Sequence, residues 1–218
     1  MEKANVLKTI KELKEKSQKR NFNQTYDLIV TLKDLDFKKP EHQVDFFQTL
    51  HYSKGKKVKV CALIGPEMES AAKGVVDSYI LVDDFPKYAK DKKAMKKLAS
   101  QFDFFIAQAT IMPKVATTFG KVFGPKGKMP NPKAGCVVPP NAPLKPLYEK
   151  LQKTIHLVAK TSLMVQAAVG KEDMPDEQVA DNIMTVYDAL IHHLPGAENN
   201  VRDILLKLTM GKPIQMKK

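Results

Sequence analysis

What this 218-residue chain lacks narrows it first. It has two cysteines, Cys61 and Cys136, far apart and with no Cys-x-x-Cys partner. Reduced thiols fit that usage better than a disulfide framework or a zinc cluster, and no structural metal is expected. No stretch approaches the roughly 18 to 20 apolar residues of a membrane-spanning helix. The first residues, MEKANVLKTIKELKEK, are charged where a secretory signal is apolar, so a soluble cytosolic protein is expected. Arginine is almost missing: only Arg20 and Arg202 stand among 36 basic residues. Lysine point charges bind phosphate without the bidentate fork that reads guanine edges, which argues against a sequence-reading DNA protein.

The usual catalytic tools are missing too. Val58 to Gly65 ends in one glycine followed by Pro66, so the dinucleotide fingerprint is not there. Gly120, Gly124 and Gly127 have the wrong spacing for a phosphate loop, and Lys128 precedes Met129 where that loop needs Ser or Thr. His42, His51, His156, His192 and His193 are scattered, with no metalloprotease, serine-hydrolase or cysteine–histidine pattern. His192 and His193 read as favourable charge at a helix carboxyl end. Cys61 reads as a small buried hydrophobe in a strand. No enzymatic activity and no cofactor are expected.

What is present is an ordinary globular composition, 43% hydrophobic and 28% charged, which excludes disorder, collagen and coiled coil. The net charge is +12 and the sequence pI about 9.5, so a polyanion is the expected partner. Residues 1–56 carry 12 basic and 8 acidic groups, residues 57–151 carry 16 and 8, and residues 152–218 carry 8 and 8. The excess therefore sits mostly in the middle.

Patterning divides the chain at the same places. An amphipathic helix carries Val6, Leu7, Ile10 and Leu13. Tyr26, Leu28, Val30 and Leu32 alternate with Thr25, Asp27, Ile29 and Thr31, as a half-buried strand requires, and a second strand is predicted over Val44 to Leu50. After the polar linker His51 to Lys57, VKVCALIG reads as a strand buried on both faces. A short helix (67–74), a strand (79–82), a helix (92–101), a strand (104–107) and a helix (113–119) follow, the order of βαβ units. Residues 120–146 read as a long loop stiffened by proline: eight of the fourteen prolines fall between Pro113 and Pro146. Strands at 155–160 and 163–169, a helix over about 175–194 and a strand at 201–208 complete the chain. The expected architecture is a discontinuous two-domain protein: an α+β domain from residues 1–56 and 152–218, with an α/β domain, 57–151, inserted and a possible hinge at the two crossings.

Five lysines and no acid lie between Lys114 and Lys133 among glycines and prolines. A stiff loop presenting lysines and bare amides suits a phosphate backbone better than a merely solvated loop would. Within it, FGPKGKMPNPKAG (Phe123 to Gly135) closely resembles the signature of the ribosomal stalk protein L-one family. RNFNQTYDLIVTLKDLD (Arg20 to Asp36), VGKEDMPDEQVADNI (Val169 to Ile183) and KLTMGKP (Lys207 to Pro213) fall where that family has them, so the resemblance covers essentially the whole chain. The compact amino terminus and the RNF…LKDLDFKKPE segment look like its archaeal branch.

The resemblance implies RNA binding by one face of the terminal domain, at Phe22, Thr25, Lys160, Thr161, Gly170, Lys171, Thr209, Met210 and Gly211. Phe can stack on a base or sugar, Thr can bond a 2′-hydroxyl, and glycine admits RNA to the backbone. From pattern alone Phe22 and Met210 would be core residues; the resemblance reverses that. Lys121, Lys126, Lys128 and Lys133 are expected secondary RNA contacts. The implied partners are the large-subunit rRNA stalk, tRNA at the exit site and the chain's own mRNA, with the free protein a monomer in the cytoplasm. Two departures stand out. Gln166 to Gly170 replace a His-x-Pro-Val-Gly common in the family, so a histidine contact does not carry over. Lys126 and Cys136 stand where arginine and threonine are common. The rival readings are a non-specific RNA chaperone and, less favoured, a phosphate-ligand enzyme on the α/β domain.

Overall fold

The computed structural model describes residues 1–140 and 142–216, and its chain divides into two compact units, Met1–Lys56 with Lys153–Lys218 and Lys57–Gln152. It mixes α+β and α/β architecture. Asn141, inside the expected loop, lies outside the described residues.

In the first unit, helix α1 (Lys3–Lys16) buries Val6, Ile10 and Leu13, residues three or four apart that share one side of the helix. Strand β1 (Thr25–Leu32) buries every second residue, and β2 (Val44–Thr49) follows a turn opened by Pro40. The second stretch of chain supplies β7 (Thr154–Ala159), β8 (Met164–Lys171), helix α7 (Asp176–His193), β9 (Val201–Leu208) and β10 (Ile214–Met216). β10, β9, β1 and β8 form an antiparallel sheet in that order, so the central strand takes both partners from the other end of the sequence. β2 and β7 pair as a separate antiparallel ribbon. α1 and α7 lie together on the sheet, sealing a core that includes Tyr26, Leu28, Val30, Ile183, Val186 and Leu206.

Two buried amides hold the irregular parts. Asn182 donates to the Val169 carbonyl at 2.8 Å and to that of Tyr52 at 3.2 Å, and accepts from Tyr52 N–H at 3.1 Å. Asn200 accepts from Gly196 N–H and donates to the Lys33 carbonyl. His193 stacks on Phe46 at the end of α7, with centroids 3.8 Å apart.

The second unit is a parallel sheet in the order β4 (Ser78–Leu81), β3 (Val60–Ile64), β5 (Phe104–Gln108), β6 (Val137–Val138). All five residues of β3 are buried, as a strand covered on both faces requires. Val58 leaves the ladder because the Gln152 side chain takes both its N–H and its carbonyl at 2.8 Å. Helices α3 (Phe85–Lys90), α4 (Lys92–Gln101) and α5 (Met112–Phe123) pack together and share a core with alternate residues of the strands, such as Cys61, Leu63, Phe105 and Ala107. The short α2 (Glu69–Ala72) follows β3, and α6 (Leu144–Lys153) returns the chain to the first unit.

The expected loop is shorter at both ends than the sequence suggests. α5 continues to Phe123 because Val115, Phe119 and Phe123 keep one buried stripe. α6 begins at Leu144, its Pro146 sitting in the first turn, where a missing N–H costs nothing. Between them, Gly127 (φ +62°) and Gly135 (φ +75°) take left-handed turns that other residues avoid. Among the described residues no helix is long and apolar enough to cross a membrane, and no cluster of three or more potential metal ligands occurs.

Candidate nucleic-acid interface

Most of the residues singled out in the first unit meet at one end of the four-stranded sheet. Register places Thr25 opposite Lys171 and Tyr26 opposite Gly170 on one side, and Tyr26 opposite Leu208 on the other. The turn after β9 folds back onto the start of β1. Thr209 N–H donates to the Thr25 carbonyl at 3.1 Å, its hydroxyl accepts from Thr25 N–H at 3.0 Å, and the same hydroxyl lies 3.4 Å from that carbonyl. Phe22 and Met210 stand out from this end, 50% and 61% exposed, so the plain core reading of both fails.

Gln24, which patterning gives no reason to notice, sits beneath the cluster at 1% exposure. Its side-chain oxygen accepts from Met210 N–H at 3.2 Å, while its amide nitrogen lies 3.5 Å from the Gln18 carbonyl and 3.5 Å from a Glu172 carboxylate oxygen. Its backbone carbonyl accepts from Glu172 N–H at 2.9 Å. One buried residue thus ties together the segment after α1, the turn after β8 and the turn after β9. Two depressions flank it. One, about 590 Å³, is lined by Leu13, Ile214 and Met210 and carries Lys16, Arg20 and Lys212. The other, about 480 Å³, runs past Lys19, Phe22, Asn23 and Asp173. Among the described residues Lys19, Arg20 and Lys212 form no ion pair, whereas Lys16 is bound to Glu12 at 2.5 Å. The cluster therefore joins exposed apolar side chains to free cations, the mixture that holds bases and phosphates together.

The two glycines have internal reasons to be glycine. A Cβ on Gly170 would come within 3.1 Å of Val179 Cγ2 and 3.3 Å of Met174 Sδ, and one on Gly211 within 3.3 Å of Ser17 Oγ. Gly170 is buried against α7, so close packing accounts for it without any RNA.

Lys160 and Thr161 do not join the cluster. They lie in the turn between β7 and β8, at the Leu32 end of β1, where Leu32 N–H donates to the Leu163 carbonyl. Thr25 and Thr31 are six strand positions apart, about 20 Å. Lys160 is held by Asp45 at 2.6 Å, and the other Asp45 oxygen meets His156 at 2.6 Å. Burial pushes the Asp45 carboxyl up, but Lys160 and His156 outweigh it and hold it below the ordinary carboxylate range.

In the second unit, two of the four candidate loop lysines fold back onto α4, Lys126 while staying exposed. Lys126 donates to Ser100 Oγ at 2.8 Å and to the Lys96 carbonyl at 3.3 Å, and Lys128 donates to the Phe102 carbonyl. Both neutralise the carboxyl end of α4. Lys121 and Lys133 are exposed. The buried thiols are inert: burial pushes Cys61 up to about 12 and Cys136 up to about 11.

Comparison with known proteins gives a concordant result. The family described as "Ribosomal protein L1p/L10e family" matches residues 13–212. The large ribosomal subunit protein uL1 of Methanobrevibacter smithii is 41% identical over 212 residues, 97% of this chain and 98% of its own. Those of Methanothermococcus thermolithotrophicus and Thermoplasma acidophilum are 37% and 35% identical, over 100% and 97% of this chain and 100% and 95% of their own.

Proposed function

The chain belongs to the ribosomal protein L1p/L10e family, and on that premise we propose that it is a large-subunit ribosomal protein that binds the rRNA of the mobile stalk through the Phe22–Thr25–Thr209–Met210 end of its first unit. It works in the cytoplasm as part of the ribosome and catalyses no reaction. Stalk motion then helps deacylated tRNA leave the exit site, and the same face binds a stalk-like element in the chain's own mRNA to repress translation.

One observation carries the reading: Phe22 and Met210, both half-exposed or more, flank a strand end beside Lys19, Arg20 and Lys212, which form no ion pair among the described residues. In this scheme Phe22 stacks on a base or ribose, Arg20, Lys171 and Lys212 take phosphates, and Gln24 keeps the turns in place. Lys160 contributes little, being already held by Asp45. The Thr209 hydroxyl serves the fold first, since Thr25 N–H already donates to it.

The test compares affinity for a folded stalk rRNA fragment with that for unrelated duplex RNA. Phe22→Ala with Met210→Ala is expected to weaken stalk binding about tenfold or more, since the lost Phe22 stack is worth about 1–3 kcal/mol and the Met210 apolar contact goes with it, with the salt slope unchanged. Equal affinity of the unaltered protein for the two RNAs would make it a non-specific RNA chaperone instead.

A further inference from the structure

Charge is unevenly placed in the second unit. From Lys92 to Lys145 the chain carries ten lysines and one acid, Asp103; residues 57–91 and 146–152 together carry six lysines and seven acids. The whole positive excess of the unit thus lies in one continuous segment. The fold brings much of it to one surface. α4 buries Met95, Leu98 and Ala99 and exposes Lys92, Lys93, Lys96 and Lys97. α5, packed beside it, buries Val115, Phe119 and Phe123 and exposes Lys114 and Lys121. Lys126, fixed to Ser100 and the Lys96 carbonyl, extends the row past the end of α4.

The acids nearby are mostly committed elsewhere. Asp91 caps α4 by accepting from Lys93 and Ala94 N–H, Asp84 is paired with Lys87, and Asp103 accepts from Lys59 N–H. Asp83 is exposed, as are Asp91 and Asp103. An ordinary solvated helix face mixes signs and sets opposite charges four residues apart. Here Lys92 and Lys96, and Lys93 and Lys97, are like-charged at that spacing and repel. An external polyanion relieves that repulsion.

What is missing from the face selects the polyanion. Among the described residues every exposed large hydrophobic (Phe22, Tyr52, Val158, Leu163 and Met210) belongs to the first unit. The α4–α5 face therefore offers no aromatic for stacking unpaired bases, no apolar wedge for a lipid surface and no anchor for a protein partner. Lysine without arginine holds phosphates without reading base edges. The geometry points to the outer face of α4 and α5 as a second RNA-binding surface, one that grips the phosphate backbone of double-helical RNA irrespective of sequence. It goes beyond the stalk-binding reading and does not depend on the Phe22 cluster.

The test uses the full chain and a plain RNA duplex two helical turns long, unrelated in sequence to rRNA. Lys92, Lys93, Lys96 and Lys97 are changed together to Gln, which keeps helix propensity, and circular dichroism and melting confirm the fold. The dissociation constant at low salt is expected to rise at least tenfold. The plot of log affinity against log salt should become shallower by about 3, at roughly 0.7–0.9 per lost phosphate contact. Phe22→Ala with Met210→Ala should leave duplex binding unchanged; equal affinity of the unaltered protein for stalk RNA and unrelated duplex would sink the stalk reading and leave this surface standing. Unaltered duplex affinity and slope in the lysine variant would overturn the proposal. So would tighter lysine-dependent binding to poly-glutamate or to single-stranded RNA than to the duplex. If the fourfold variant does not fold, Lys93→Gln with Lys97→Gln decides the matter, with about half the change in slope expected.

Discussion

Gln24 shapes a surface that it barely reaches. Its carboxamide is the acceptor for Met210 N–H and lies between the Gln18 carbonyl and Glu172, so its loss leaves a part-buried amide without a partner. That costs about 1–3 kcal/mol, divided between stability and the ordering of the turns. Gln24→Ala is therefore expected to lower the melting temperature and to weaken stalk-RNA binding several-fold with no change in salt slope, because no charge is lost. Fluorescence anisotropy across a salt series, alongside thermal melting, checks this; normal affinity in a destabilised variant would confine Gln24 to the fold. Nothing in the primary sequence marks this residue: a glutamine before a strand carries no periodicity, and its three partners lie 6, 148 and 186 positions away. Phe22 and Met210 are the opposite case. Their chemistry argues for a core, and only the motifs around them gave reason to expect them outside.

At the scale of elements, periodicity was a good guide where burial was one-sided and a poor one where proline intervened. β9 and α4 run from Val201 to Leu208 and from Lys92 to Gln101, as their patterns require. α6 was hidden because Pro143 and Pro146 suggest a loop, although Leu144 and Leu151 are both buried on one helix. Three-residue β10 is too short to show any pattern. The lysine segment looked like a loop reaching outward, yet Lys126 and Lys128 satisfy the end of α4, a need visible only once the helix is in place. The edge of β3 shows a second such arrangement, and it is sensitive to pH. Burial pushes the Asp77 carboxyl up, but Val60 N–H, Lys57 and Tyr148 together hold it below the ordinary range. An acid depressed in the folded state stabilises above its unfolded pKa of about 4 and loses that contribution as pH falls through the folded value. The second unit should therefore weaken in acid below about pH 4, and Asp77→Asn should flatten that acid limb while lowering stability at neutral pH. Both cysteines lie in this unit and are buried, so their labelling by dithiodipyridine, which reacts in acid, reports its opening. An equally steep limb in Asp77→Asn would assign the acid response to other groups.

For the whole molecule, a unit made from both ends of the chain should survive loss of what lies between. Leu50 N–H donates to the Lys153 carbonyl, keeping the two crossing segments beside each other within the first unit. Replacing residues 57–152 by a short glycine–serine linker is expected to leave a cooperatively melting protein that binds stalk RNA within a few-fold of the full chain and has lost the salt-steep binding of plain duplex. A folded remnant that no longer recognises stalk RNA would move the interface out of the first unit. The division itself was legible, because a βαβ pattern interrupts half-buried strands; the pairing order was not, since which strands meet depends on closure across well over a hundred residues. That order also has a consequence in time. Ribosomes deliver the chain from its amino end, and β1, with its row of Tyr26, Leu28, Val30 and Leu32, emerges long before β8 and β9 exist to pair with it. Residues 57–152 are contiguous and have everything they need to fold during translation, whereas the half that holds the Phe22 cluster closes only when the last strands leave the exit tunnel. A nascent or truncated chain therefore presents a finished lysine face before it has a finished recognition site, and only full-length protein acquires both.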